Sequence, residues 1–319
     1  MDERQRRRMD LLLVRFVEAT TAWSFSKLTV RSYEAHVRFF LDWLEEETDV
    51  EDLARVTPET LSGYQVWLVT AEKRRPHEKG QRLASSTQGA RLSALKTFFR
   101  FLAHEGKLLV DPAAGLTLPN RRKLLPQALL TAKEAVRLCE SVDTTTPLGL
   151  RNRAVVEVLY ATGVRNAELR ELRLSDFDSS AGTLFVRAGK GGKDRVVPLG
   201  PLVSAVLSDY VTQGRPRLPV KPGVTHLFVS EHGWPLWSQS IVRIVDQAAR
   251  RAGIRKPVRP HRLRHACATH MLQGGADVRH IQRLLGHSSL STTEVYTRVE
   301  IGDLKAVHKR FHPRERTRG

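Results

Sequence analysis

Cysteine is scarce. Cys139 and Cys267 are the only two in 319 residues, far apart and in unrelated contexts. That excludes a disulfide framework and a cysteine-rich zinc site, and it suits a reducing compartment. Also missing is any apolar run of the roughly 18 residues a membrane span requires. The opening MDERQRRRMDLLLV lacks the long apolar stretch and small-residue cleavage site of a signal peptide. The expectation is a cytoplasmic protein with no membrane partner. Acidic residues are too few to balance the basic ones: 34 Asp and Glu against 52 Lys and Arg, a net charge of +18. The deficit is uneven. Residues 1–119 hold 18 basic and 17 acidic side chains, which leaves 34 against 17 for residues 120–319. A field of that sign and size favours a polyanion, because neutralising phosphates releases condensed counterions. Nucleic acid is the first expectation, ahead of an anionic lipid surface or a basic face kept for solubility.

The remaining composition is that of a folded chain. With 41% hydrophobic residues and this length, two domains are expected. The first third reads as helical. Thr29 is a possible N-cap for a helix in which Val30, Tyr33, Val37, Phe40, Leu41 and Leu44 recur at helical spacing. Thr57-Pro58 starts a second helix, with proline where its missing N–H costs nothing. Ser85-Ser86-Thr87-Gln88 resembles a capping box opening a third, with Leu92, Leu95, Phe98, Phe99 and Leu102 facing a core. Residues before the first of these helices read as a basic N-terminal extension. Between Glu72 and Lys107 nine basic residues face three acidic ones. Arg91, Lys96 and Arg100 on the third helix are therefore candidate DNA contacts, a merely solvated face being the alternative.

DPAAGLTLPNRRKLLPQ, residues 111–127, holds three prolines and a basic triplet and reads as an interdomain linker. The expected boundaries are 1–118, a linker at 119–128, and 129–319. Beyond it, Thr131-Ala132-Lys133-Glu134 is a capping box, and helices are expected around 154–161 and 166–172. Strands are expected at 184–187, 196–199 and 227–230, with helices again from Ser238. The fold class is mostly α with a small β-sheet.

The second domain carries the chemistry. In ATGVRNAEL, Gly163 ends one helix and Glu168 begins the next, which puts Arg165 on the turn. AGKGGKDRVVPL puts Lys190 and Lys193 at a hairpin tip, where a lysine can reach a ligand above the sheet, and Lys193 is a further candidate DNA contact. PHRLRHACATH puts His261 and Arg264 one turn apart on a helix, with His265 turned aside. LGHSSLSTTEVY adds His287 and Tyr296. The set is cationic and lacks the paired carboxylates that two-metal phosphate chemistry and glycosidases need. It suits metal-free phosphoryl transfer. Guanidinium forks can hold the non-bridging oxygens, imidazoles can accept the phenol's proton, and an ammonium can protonate the leaving alkoxide. His261 and His265 could suggest a zinc pair, but arginines flank them and no third ligand is near. No metal or other cofactor is expected. His265, His270 and His280 read as packing or hydrogen-bonding residues, and Tyr33, Tyr64, Tyr160 and Tyr210 as core or near-core.

These motifs, in this order and closed by HPR at 312–314, resemble the tyrosine recombinase (phage integrase) family, closest to its Xer-like bacterial branch. The resemblance implies a helical core-binding domain followed by a mixed catalytic domain. Residue by residue it implies Arg165 as the first arginine, Lys190 as the hairpin lysine in preference to Lys193, His261 and Arg264 as the His-x-x-Arg pair, His287 as the second histidine, and Tyr296 as the nucleophile. Glu168 takes the place of an acidic support for the first arginine. The resemblance further implies double-stranded DNA with paired half-sites, 3′-phosphotyrosyl intermediates without ATP, and a homotetramer, or a heterotetramer with a related recombinase, at the nucleoid. The roles open to such an enzyme are chromosome dimer resolution, integration and transposition. A relaxing enzyme of the type IB topoisomerase kind and a non-catalytic DNA-binding accessory protein remain as alternatives. Finally, Ile301, Leu304, Val307 and Phe311 form an apolar helical stripe. Amphipathicity alone lets it fold back on its own core, but the resemblance implies a C-terminal exchange helix that docks on the next subunit.

Overall fold

The computed structural model describes residues 3–72, 80, 82–118, 130–187, 194–286 and 298–314, with side chains from Leu304 onward in the last stretch. The expected linker at 119–128 lies outside the described residues. The chain divides into two compact units, Met1–Leu125 and Pro126–Gly319.

The first unit is built from α1 (Glu3–Ala22), α2 (Lys27–Glu47), α3 (Pro58–Thr70) and α4 (Ser85–His104). The basic N-terminal extension forms a full helix. Met9, Leu13, Phe16 and Thr20 make a buried stripe along α1. The basic residues occupy its other faces, and Arg6 ties the helix to α2 through Asp42 at 2.8 Å and Glu45 at 2.6 Å. Helix α2 begins earlier than expected. Its N-cap is Ser26, whose Oγ accepts the Thr29 N–H, so Thr29 lies inside the first turn. Thr57 caps α3 as expected, with Pro58 in the first turn. Helix α4 follows Ala84, which has no capping side chain, and Gln88 instead donates to the Leu83 carbonyl, so the expected capping box is absent. The core between these helices is aromatic. Phe40 meets Tyr64 and Phe99 edge-on, and Phe16 meets Phe98 in the same way, an arrangement that suits the ring quadrupoles.

The second unit opens with α5 (Ala132–Glu140), fixed by the reciprocal Thr131–Glu134 capping box. It then runs through α6 (Pro147–Thr162), α7 (Asn166–Glu171), a three-stranded antiparallel sheet, α8 (Pro201–Asp209), α9 (Ser238–Arg251), α10 (Pro260–Gln273), α11 (Val278–Leu285) and α12 (Arg298–Phe311). Every residue of α6 from Ala154 to Thr162 is buried, as expected of a central helix with partners all round. The sheet is β1 (Phe177–Asp178), β2 (Thr183–Val186) and β3 (Arg195–Pro198), in that order. Two of its strands match expectation to within a residue. The third does not. Residues 227–230 form no ladder, because their ends pair with different segments: Leu227 N–H donates to the Leu172 carbonyl, and Ser230 N–H to that of Trp234. Leu227, Phe228 and Val229 are fully buried nonetheless, so their apolar run reports burial and not strand pairing.

Helix α12 folds back on its own unit. Leu304 belongs to the core, and Val307 and Phe311 pack against it. Behind them the buried His308 and His312 rings stack 4.8 Å apart and reach the Ala161 and Tyr160 carbonyls through Nε2. Arg314 then closes on Glu157 and Glu140. Of the two arrangements open to the tail stripe, this structure has the one within a single chain.

Candidate functional site

The site is assembled around one carboxylate. Gly163, at φ +61°, ends α6 in the left-handed conformation that glycine adopts without strain. Two residues on, Arg165 is extended at the N-cap of α7, and Glu168 in the first turn of that helix accepts the Arg165 N–H at 2.8 Å. Glu168 then gathers two guanidiniums. Arg165 Nη1 donates to its Oε1 at 2.7 Å, while Arg195 on β3 grips both oxygens, at 3.1 and 2.7 Å. Burial would raise the Glu168 carboxyl, but the hydrogen bonds and charge of Arg195, then those of Arg165, win and hold it at about 2.

Arg264 completes the cluster from α10. Its guanidinium donates to the Gly163 carbonyl at 2.6 Å and the Leu285 carbonyl at 2.8 Å. Burial, with repulsion from Arg165 and Arg195, lowers it to about 10, and it remains a cation at neutral pH.

The end of α11 anchors all three arginines. Arg195 Nε donates to the Leu284 carbonyl at 3.0 Å, Arg264 to that of Leu285, and Arg165 Nη2 to that of Gly286 at 3.3 Å. A helix C-terminus leaves such carbonyls without partners in the helix and carries partial negative charge, so each guanidinium fills an open acceptor. Gly286, at φ +64°, turns the chain out of α11 there.

Among the residues singled out from the sequence, the structure therefore brings together Arg165, Glu168 and Arg264. His261 stands exposed on α10, three residues before Arg264, and His265 is exposed as well. Lys190, Lys193, His287 and Tyr296 lie outside the described residues. His270 is buried between the Tyr160 hydroxyl and the Leu130 carbonyl, at 2.9 and 2.8 Å, a structural placement as expected. Tyr64, Tyr160 and Tyr210 are fully buried. In the first unit, Arg91 lies over the Phe39 ring at 3.3 Å, and Lys96 donates to the Leu116 carbonyl at 2.8 Å, so both side chains are engaged with their own unit. Arg100 on the same helix is exposed.

Arg195 joins the cluster although the sequence motifs give it no role. Only 2% exposed, it shares the inward face of β3 with Val197. An arginine at an apolar phase of a strand was the signal available, since a charge so placed needs a built partner.

A mostly helical chain of two units, the second built around a small antiparallel sheet and a buried arginine cluster, has clear relatives. Residues 128–301 match the phage integrase family, and residues 15–106 match the phage integrase N-terminal SAM-like domain. The chain belongs to the phage integrase family. It is 42% identical over 307 residues to tyrosine recombinase XerC 2 of Ralstonia nicotianae, covering 95% of this chain and 87% of the relative. It is 40% identical over 294 residues to tyrosine recombinase XerD of Mycobacterium tuberculosis, covering 90% and 92%. Two solved structures share the fold. One is a lambda integrase dimer bound to a COC′ core site, with TM-score 0.65, 18% identity, and 90% and 99% of the two chains covered. The other is XerH site-specific recombinase bound to difH substrate, with TM-score 0.65, 22% identity, and 89% and 77% covered. Among the described residues no helix is long and apolar enough to cross a membrane.

Proposed function

We propose that this protein is a site-specific DNA recombinase that cuts and rejoins strands through a 3′-phosphotyrosyl link on Tyr296, without metal or ATP. The observation that carries the reading is the charge balance of the buried cluster: three guanidiniums, those of Arg165, Arg195 and Arg264, around the single carboxylate of Glu168. Such a group, preorganised and largely dry, suits a ligand that brings its own negative charge, and most of all one whose charge grows in the transition state. Arg165 is the best placed to meet it, its side chain remaining 27% exposed where those of Arg195 and Glu168 are almost fully covered.

In this reading the Tyr296 oxygen attacks phosphorus as its proton passes to a histidine, His261 or His287. The bond to the 5′ oxygen breaks, and Lys190 protonates that leaving group. Arg165 and Arg264 hold the non-bridging oxygens. A phosphotyrosyl diester keeps the bond energy, so a 5′-hydroxyl can reverse the step on a new strand. The partner is double-stranded DNA with paired half-sites, and the assembly is a tetramer of this chain or of this chain with a related recombinase. Arg100, with Arg91 and Lys96 nearby, would lie in the DNA-facing surface of the first unit.

The test is covalent capture on sheared genomic DNA, with the SDS-resistant protein–DNA adduct recovered and sequenced. An adduct at one sequence supports recombination, and that sequence tells dimer resolution from integration or transposition. Adducts at many sequences would indicate a relaxing enzyme, and none at all a binding protein. Tyr296→Phe, which keeps the ring and loses the nucleophile, should bind DNA normally and give no adduct. Adduct from that variant would overturn the assignment.

A further inference from the structure

We infer that Arg195 is a positioning residue, which holds Arg165 in place by occupying the carboxylate of Glu168. The inference rests on the role proposed for Arg165. Arg195 itself is buried and spends its donors inside the protein: Nη1 and Nη2 on Glu168, Nε on the Leu284 carbonyl. It cannot reach a substrate, so its effect must pass through its partners.

The acceptors decide what that effect is. Glu168 has two oxygens, and Arg195 takes a place on each. Arg165 is left with one guanidinium contact to the carboxylate, through Nη1, and turns Nη2 to the Gly286 carbonyl. Carboxylate and guanidinium otherwise prefer a bidentate pair with two parallel bonds. Without Arg195, Glu168 would be a buried anion with Arg165 as its one remaining guanidinium, and the favoured arrangement would draw both ends of that fork onto it. Arg165 would then leave Gly286 and withdraw from any phosphate. A second tie points the same way. A Cβ on Gly286 would lie 3.0 Å from Arg195 Nη1 and 3.2 Å from its Cδ and Cζ, so the turn that leads from α11 toward His287 is shaped to admit this side chain. Through Arg195, β3, the α7 N-terminus and the end of α11 share one set of hydrogen bonds.

The sequence feature is equally specific. Arg195 stands at the foot of the hairpin bearing Lys190, in register with Val186 on β2. One residue thus links the strand pair that carries the proposed acid to the arginine proposed to hold the phosphate.

The experiment compares Arg195→Met, Arg195→Lys and the double variant Arg195→Met with Glu168→Gln, all in the full chain. Two readouts are taken. The first is a crystal structure of Arg195→Met without DNA, in which both Nη atoms of Arg165 should lie on Glu168 and none on the Gly286 carbonyl. The second is the single-turnover rate of adduct formation at saturating protein, on a nicked duplex carrying the sequence that wild-type capture returns. Arg195→Met should be slower by about 10- to 100-fold, with DNA affinity within about twofold of wild type, and the double variant should regain at least about tenfold. Arg195→Lys, with a charge but no fork, should fall between.

The pH profile separates positioning from mere folding. The groups facing Glu168 are Arg165, Arg195 and, through charge, Arg264. Removing Arg195 lets burial raise the Glu168 carboxyl, so in Arg195→Met acid neutralises it and frees Arg165. The ratio of variant to wild-type rates should therefore climb as pH falls from 7 to about 5. If Arg195→Met does not fold, Arg195→Lys and the double variant carry the same comparisons. Arg165 unmoved in the crystal, a rate within about twofold of wild type, or no gain from Glu168→Gln would each overturn the inference. No adduct from wild-type protein would sink the proposed function instead, leaving the position of Arg165 to decide this one.

Discussion

Replacing Arg314 by alanine measures how firmly the tail is held on its own unit. Arg314 donates through Nε to Glu157 at 2.9 Å, through Nη2 to the same carboxylate, and through Nη1 to Glu140 at 3.2 Å. Glu157 is wholly buried on the central helix α6. Removing one member of a buried ion pair costs about 3–5 kcal/mol, because the other is left charged and dry. Here Arg153 stays on Glu157 at 2.9 Å, which lowers the expected cost to about 2–3 kcal/mol. For a unit of this size the melting midpoint should then drop by about 5–10 °C. Calorimetry of the full chain gives the midpoint, and amide exchange of peptides from α6 and α12 shows where the loss falls. Adding Glu157→Gln should return much of the stability, since the uncompensated anion is then gone. Acid supplies an independent check. His308 and His312 are pushed below the ordinary imidazole value by burial, His312 also by the charges of His308, His270 and Arg314. Groups lowered on folding stabilise fully above the unfolded value near 6.5 and lose that contribution as pH falls through the folded value. Protection of the α12 amides, taken relative to their slower intrinsic exchange in acid, should thus decline below about pH 6.5. A midpoint change under about 1 °C in Arg314→Ala, with α12 exchange unaltered, would mean that the tail does not dock this way in solution.

Three further outcomes are expected. Glu168, held at about 2 against an ordinary 4.5, should contribute about 3 kcal/mol that is complete above pH 4.5 and is lost as pH falls through 2; urea midpoints measured from pH 5 downward should show it, and Glu168→Gln should flatten that limb. Gly163→Ala should destabilise by about 2 kcal/mol or more in urea, because φ is +61° and the new Cβ would lie 2.5 Å from Leu285 Cδ2; an unchanged midpoint would refute this. Ser24, the one non-glycine residue with positive φ among those described, sits at +60°, so Ser24→Gly should raise the urea midpoint by about 0.5–1 kcal/mol of stability, and a lower midpoint would count against it.

Elements whose signals are local could be read from the chain alone. The Thr131–Glu134 box, Thr57-Pro58, the Gly163 stop and the start of α9 at Ser238 each depend on a few neighbouring residues and the backbone between them, and each falls where the pattern put it. The motifs that carry the family likeness were legible for the same reason, and it was that likeness which pointed to Glu168 as the support for Arg165. Tertiary structure decided whatever needed a distant partner. Residues 227–230 have a strand's composition, but a strand needs a neighbouring ladder, and theirs went to Leu172 and Trp234 singly. Helix α1 became more than a basic extension because α2 supplies both an apolar surface for Phe16 and carboxylates for Arg6. Arg195 lies 27 residues from Glu168 and 89 from Leu284, and no spacing rule joins the three. The tail stripe fitted either a neighbouring subunit or its own core. Within the single chain, His308, His312 and Arg314 are buried against α6, since amphipathicity fixes which face is covered and only packing fixes by what.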